Sequence, residues 1–240
     1  MADQAKIGLP SNMVWHPSPN INDRASGVKP DILLLHFTAM QTAISAVERL
    51  CDPQARVSCH YVIGETGQVW HLVKEDMRAW HAGLGRWGEI TEDINSRSIG
   101  IELANTGLHP FPEPQMRVLE AMMHGIMARW GIGPERVIGH SDMAPHRKDD
   151  PGPRFDWRRL ALQGLAIWPD SHVTGDEDLG QFRVLSTKLG YGVDFDDAPV
   201  LRAIRLRFRP WARGPLDQTD IAIMNDLAAR FPVDRTISSA

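Results

Sequence analysis

VIGHSDMAPHRKDDPGPRFDW, residues 137–157, is the stretch from which the fold can be read outward. Val137, Ile138 and Gly139 form a short apolar run of the kind a buried strand presents. The residues after them are dense in His, Asp, Lys and Arg and are punctuated by Pro145, Pro151, Gly152 and Pro153. Proline fixes φ and glycine frees it, so this run reads as an ordered loop and not a helix interior. His140 therefore stands where a strand gives way to a loop, a common place for functional groups held on a rigid scaffold.

Two more apolar runs share that character. Ile32 to Leu35 is continuous and ends at His36, and Ser98 to Leu103 (SIGIEL) is interrupted only by Glu102. Runs of this kind suit strands covered on both faces. Cys59 to Ile63 and Gln68 to Val73 are strand-like, with Gly64–Gly67 between them as a hairpin loop. Ile44, Val47 and Leu50 predict a helix over 42–50. Met116, Leu119, Met123, Ile126, Met127 and Trp130 predict a longer one over 113–130, ended by Gly131 and Gly133. The stretch 83–95 reads as a loop, and residues 1–30 as an irregular arm over the domain. Strands with helices between them predict an α/β fold with a central mixed β-sheet flanked by helices. After Trp168-Pro169 a polar stretch leads into helix-like segments at 179–189, 198–208 and 218–231. The expected organisation is a domain over 1–168 and a small three-helix C-terminal domain over 177–234.

Composition removes several classes. Of 240 residues, 42% are hydrophobic and 23% charged, as in ordinary globular proteins. A net charge of -4 gives no broad basic surface for nucleic acid. No run reaches the roughly 18 apolar residues a membrane span needs. The N-terminal residues carry no basic n-region or apolar h-region, so a cytoplasmic protein without a membrane anchor is expected, or a periplasmic one if a leader precedes them. Cys51 and Cys59 make no disulfide framework and read as small buried thiols in a reducing compartment.

Zinc catalysis needs three N or O ligands and one open position. His36 and His140, each at the end of a buried strand, fit that need, and Asp150 lies on a loop able to fold back toward them. Each also has a bland reading: a strand-end histidine is often a satisfied structural one, and an Asp before Pro is often a turn residue. Glu102 weighs on the choice, because a carboxylate on a buried strand is costly without a partner or a task. It reads either as a salt-bridged strand glutamate or as a general base with a raised pKa. Lys148 reads as an exposed loop lysine or as a cation facing a developing oxyanion.

Read together, LLLHFTA, VSCHYVIGETGQVWHLV, RAWHAG, SIGIELAN and IGHSDMAPHRKDDPGP resemble, in that order, the zinc-dependent N-acetylmuramoyl-L-alanine amidases. This amidase-2 family is related to phage T7 lysozyme and the peptidoglycan recognition proteins, and the resemblance covers about 30–157. It implies one zinc ion per chain on His36, His140 and Asp150, with Glu102 activating water and Lys148 stabilising the transition state. It implies cleft positions for His60, Trp80 and His81, for which core packing (Trp80) and a satisfied strand histidine (His60) are the alternatives. The implied reaction cuts the amide between N-acetylmuramic acid and L-alanine in peptidoglycan fragments, the soluble (anhydro)muropeptides of bacterial cell-wall recycling. Recognition proteins that only bind peptidoglycan lack a ligand that is present here, and a peptidase cutting within the stem peptide is a further alternative. Asp150 is preferred to Asp149 because it directly precedes Pro-Gly-Pro, and His146 is expected to face solvent. The C-terminal segment resembles the helical peptidoglycan-binding-like domain of some of these amidases.

Overall fold

Strand β3 (Ile32–Phe37) is the centre of the sheet, and Ile32 to Leu35 have no solvent exposure in the computed structural model, which describes residues 10, 13–25, 27–170 and 178–234. It runs parallel to β7 (Ser98–Leu103) on one side and to β8 (Val137–Gly139) on the other. Beyond β7 lie β4 (Tyr61–Ile63), β5 (Val69–His71) and β1 (Val14–Trp15), giving the order β1-β5-β4-β7-β3-β8. The pair β4 and β5 is antiparallel, as the predicted hairpin requires, and makes the sheet mixed. Strands β2 (Ile21–Asp23) and β6 (Met77–Ala79) form a separate ribbon.

The N-terminal arm is thus not irregular throughout. Its described part adds β1 to the outer edge of β5 and β2 to the ribbon, satisfying backbone groups that an open edge would leave unpaired. Strands of two and three exposed residues carry no alternation for sequence reading to detect.

Side chains leave a strand alternately to its two faces, and the two sets meet different partners. Leu33, Leu35, Ile99, Ile101 and Leu103 pack against helix α3 (Glu113–Trp130) through Met116, Leu119, Met123 and Ile126. Fully burying such a side chain contributes about 1.5–3 kcal/mol, so this layer is a main source of stability. Gly131 ends the helix at φ 68°, a left-handed position suited to glycine, with its N–H bonded to Met127 O. On the opposite face, α1 (Ala43–Cys51), capped by Thr42, sets Val47 and Leu50 against Val62 and Leu72. Short α2 (Ile94–Arg97) precedes β7.

The stretch after His140 departs from a pure loop, because His140 opens a one-turn helix, α4 (His140–Met143), before the Pro-rich segment begins. Another short helix, α5 (Trp157–Ala161), closes that segment. The three predicted C-terminal segments become α6 (Phe182–Lys188), α7 (Asp197–Phe208) and α8 (Gln218–Arg230). Phe182, Leu185, Ile204, Phe208, Met224 and Leu227 form one hydrophobic cluster with Ile32, Leu34, Ile138 and Met143. The C-terminal helices therefore cover the second face of β3 and β8. The polar stretch 171–177 lies outside the described residues.

Candidate metal centre

Pleating and register bring three strand ends to one point. His36 follows Ile32 and Leu34 on the same face of β3, and its register partner on β7 is Glu102. Leu35 pairs with Gly139 of β8, so His140 emerges beside His36 at the carboxyl end of the parallel strands. Crevices at such ends are the usual ligand sites of open α/β sheets. The Pro-rich segment then returns Asp150 to the same place, where Ser141 N–H donates to Asp150 O at 3.0 Å.

The resulting triangle is small. His36 Nδ1 lies 3.0 Å from His140 Nδ1 and 2.9 Å from Asp150 Oδ2, and His140 Nδ1 lies 3.1 Å from the same oxygen. These are three donor atoms converging from residues up to 114 apart in sequence. Zinc bonds of about 2.0–2.2 Å in tetrahedral geometry put ligand atoms roughly 3.3 Å apart, so the donor set and its spacing fit one such ion. The other ring nitrogens are engaged elsewhere, as ligand histidines require. His36 Nε2 meets His81 Nδ1 at 3.0 Å, and His140 Nε2 meets Ala82 O at 2.9 Å.

The electrostatics favour metal binding. Burial first, and the neighbouring His140 second, lower the His36 pKa to about 4, so its lone pair is free at neutral pH. Burial works to raise the Asp150 pKa, but hydrogen bonds from His140 and His36 hold it well below the usual carboxylate range. Glu102 is different. Its Oε2 is buried with no hydrogen-bond partner among the described residues. Its pKa is pushed up to about 8 by burial and then by the charge of Asp150, with Lys148 pulling the other way. A buried carboxylate without a partner and with a raised pKa is the kind of group that exchanges protons at catalytic sites.

A cleft of about 290 Å³ opens over these groups and is lined by His36, Glu102, His140, Asp150, Lys148, Trp80 and His81, among others. A larger hollow of about 840 Å³ lies on the C-terminal helices; its Arg183 and Arg202 are paired with Asp197 and Asp149, and the described residues that line it form no donor triad. Chemistry, not volume, identifies the site.

The other expected residues fall in different places. Trp80 lines the cleft with its Nε1–H donating to Asn22 Oδ1 at 2.6 Å. His81 lines it too, but also buttresses His36. His60 is fully buried: Gly100 N–H donates to its Nδ1 at 2.9 Å, while its Nε2 faces Arg24 and Met77 O. That is the satisfied strand histidine of its two readings. His146 is exposed against Phe195, and Asp149, at the cleft rim, pairs with Arg202, leaving Asp150 as the carboxylate of the donor triad. Cys59 is buried as expected, whereas Cys51 is partly exposed because the last residue of α1 lies at the helix rim; both are free thiols.

Sequence reading missed Asn95, whose Oδ1 accepts from both His81 N–H and Ala82 N–H and so holds the segment bearing His81. No spacing rule marks an asparagine whose partners are backbone groups of a loop. Arg147, which donates to Leu84 O at 3.0 Å, pins the same segment from the other side.

The N-acetylmuramoyl-L-alanine amidase profile matches residues 26–153, more than half of the chain. The protein belongs to this amidase family. N-acetylmuramoyl-L-alanine amidase AmiD of Escherichia coli (strain K12) is 35% identical over 235 residues, spanning 85% of this chain and 84% of that protein. AmpD of Enterobacter cloacae, a 1,6-anhydro-N-acetylmuramyl-L-alanine amidase, is 34% identical over 175 residues, which is 66% of this chain and 92% of its own length. The solved complex of E. coli AmiD with the substrate anhydro-N-acetylmuramic acid-L-Ala-D-gamma-Glu-L-Lys has a TM-score of 0.78 at 34% identity, covering 89% of this chain and 95% of that one. The present amidase thus acts on the amide joining N-acetylmuramic acid to L-alanine, on the mixed-sheet scaffold described. Among the described residues, no helix of this amidase is long and apolar enough to cross a membrane.

Proposed function

We propose that this amidase holds one zinc ion on His36 Nδ1, His140 Nδ1 and Asp150 Oδ2 and hydrolyses soluble 1,6-anhydromuropeptides in cell-wall recycling. The observation that carries the reading is the convergence of those three donors, each within 3.1 Å of the others, beside the unpartnered oxygen of Glu102. A zinc ion in such a set supplies Lewis-acid polarisation and acidifies water. Glu102 takes a proton from the attacking water as its oxygen bonds to the lactyl carbonyl carbon. It returns that proton to the alanine nitrogen as the C–N bond breaks, so the base is regenerated. Lys148 offsets negative charge on the carbonyl oxygen. His81 fixes the tautomer and aim of His36. Trp80 offers an apolar wall to the substrate.

The 1,6-anhydro preference is supported by the substrates named for AmpD and in the AmiD complex. We take 1–168 as the catalytic unit, consistent with a family profile that ends at residue 153, and 177–234 as a helical unit similar to peptidoglycan-binding-like domains. The cytoplasm is the compartment we assign, supported by two unpaired thiols, and cell fractionation tests it.

Mass spectrometry of products tests the reaction itself. Zinc-loaded protein should release an intact stem peptide from anhydromuropeptides faster than from whole sacculi. Fragments cut inside the stem peptide, or equal rates on sacculi, would refute the corresponding part.

A further inference from the structure

Asp142 stands two residues after His140, and its carboxylate is 1% exposed. One oxygen, Oδ2, accepts from Gly139 N–H at 2.8 Å, which ties the end of β8 to the first turn of α4. The same oxygen accepts from Arg207 Nη1 at 3.1 Å, and Oδ1 accepts from Tyr191 Oη at 2.7 Å. Arg207 and Tyr191 belong to the C-terminal helical unit, on α7 and on the turn after α6, and each is 3% exposed. Arg207 also donates to Val137 O at 2.9 Å and lies over the Trp157 ring, 4.3 Å from its centroid. One arginine therefore grips the start of β8, the carboxylate on α4 and the first residue of α5, the three pieces that frame the ligand loop.

We infer that the C-terminal helical unit is a working part of the metal centre: Arg207 and Tyr191 are positioning residues that hold Asp142, and through it set the aim of His140. A buried carboxylate retains one orientation only while its charge is paired and its lone pairs are filled. Asp142 draws two of its three side-chain partners from the C-terminal unit. His140 has little independent freedom, because its other ring nitrogen is held by Ala82 O. A shift of the α4 turn must therefore move His140 Nδ1 relative to His36 and Asp150. The inference rests on the ligand assignment above.

The experiment uses the full chain and reads zinc affinity by chelator competition, together with the visible spectrum of the cobalt-substituted protein. Arg207→Met should weaken zinc binding about tenfold, the lower end of outer-shell effects, and shift the cobalt bands. Arg205→Met is the matched control. Arg205 is similarly buried, and its hydrogen bonds go to Asp220, Gly214 O and Pro215 O inside the same helical unit. It should cost stability while leaving zinc affinity unchanged. Equal zinc affinity in the two variants overturns the inference. Should Arg207→Met not fold, Tyr191→Phe decides, since it deletes one hydrogen bond: a weaker affinity in the same direction supports the inference, and wild-type affinity and spectrum overturn it. Wild-type protein that binds no stoichiometric zinc would instead overturn the ligand assignment.

Discussion

His36 and Glu102 face each other across adjacent parallel strands, as register partners whose side chains leave the same side of the sheet. A histidine of the donor triad and the buried carboxylate are thus held at fixed separation by backbone hydrogen bonds and not by a loop. Positions two and four residues earlier on these strands carry Leu34 opposite Gly100 and Ile32 opposite Ser98. Ionisable side chains appear on this face of the two strands only at its carboxyl end.

On the function proposed above, Glu102 serves the chemistry and not the metal. Glu102→Ala should lower kcat by at least about 10²-fold, the usual contribution of a positioned acid–base group. Zinc content, measured by atomic absorption, should stay at the wild-type level. Loss of the metal in this variant would make Glu102 a ligand.

The ligand loop gives a contrasting set. Asp150→Ala removes an oxygen within 3.1 Å of both ligand nitrogens and should abolish stoichiometric zinc binding. His146→Ala and Asp149→Ala alter an exposed ring and an exposed ion pair and should bind zinc as the wild type does. Metal analysis of the three purified variants checks the pattern, and retention in Asp150→Ala alone contradicts it.

Much of this site was legible because strand ends announce themselves. Ile32–Leu35, SIGIEL and Val137–Gly139 are apolar runs that stop at His36, run through Glu102 and stop at His140, so buried strands and their functional termini were read together. What stayed hidden depends on distant partners. Asp142, Tyr191 and Arg207 are 49 and 65 residues apart along the chain in their two contacts, and nothing local to any of them signals the other. The short helix α4 was masked by the Pro-rich loop it opens, since one turn shows no periodicity. The sequence marks His81 as a cleft residue, whereas its hydrogen bond to His36 follows from a crossing over β7 at Gly100 that no local pattern signals.

That crossing depends on Gly100. A Cβ built there would lie 2.5 Å from His81 Nδ1, and the imidazole is held between His36 Nε2 at 3.0 Å and Ser98 Oγ at 3.3 Å. Gly100→Ala should therefore push His81 off His36. Overpacking of this kind costs about 1–3 kcal/mol of stability. The variant should melt lower and bind zinc more weakly, by calorimetry and chelator competition. An unchanged melting temperature and zinc affinity would show that His81 moves without consequence.

Away from the cleft, Glu75 carries a pH signature. Burial works to raise its pKa, but Arg129, Trp130 Nε1 at 2.6 Å and Tyr61 Oη at 2.8 Å all donate to its carboxylate and hold it below its ordinary 4.5. The folded state thus binds the Glu75 proton more weakly than the unfolded one. Its contribution is fully present above the unfolded pKa and is lost as pH falls through the folded value. Glu75→Gln keeps the shape and removes the titration. The stability difference between wild type and Glu75→Gln, measured by urea unfolding, should be constant near neutral pH and shrink as pH falls below 4.5. A difference that persists unchanged into acid would mean that packing, and not the ionised carboxylate, ties β4 to α3 at this point.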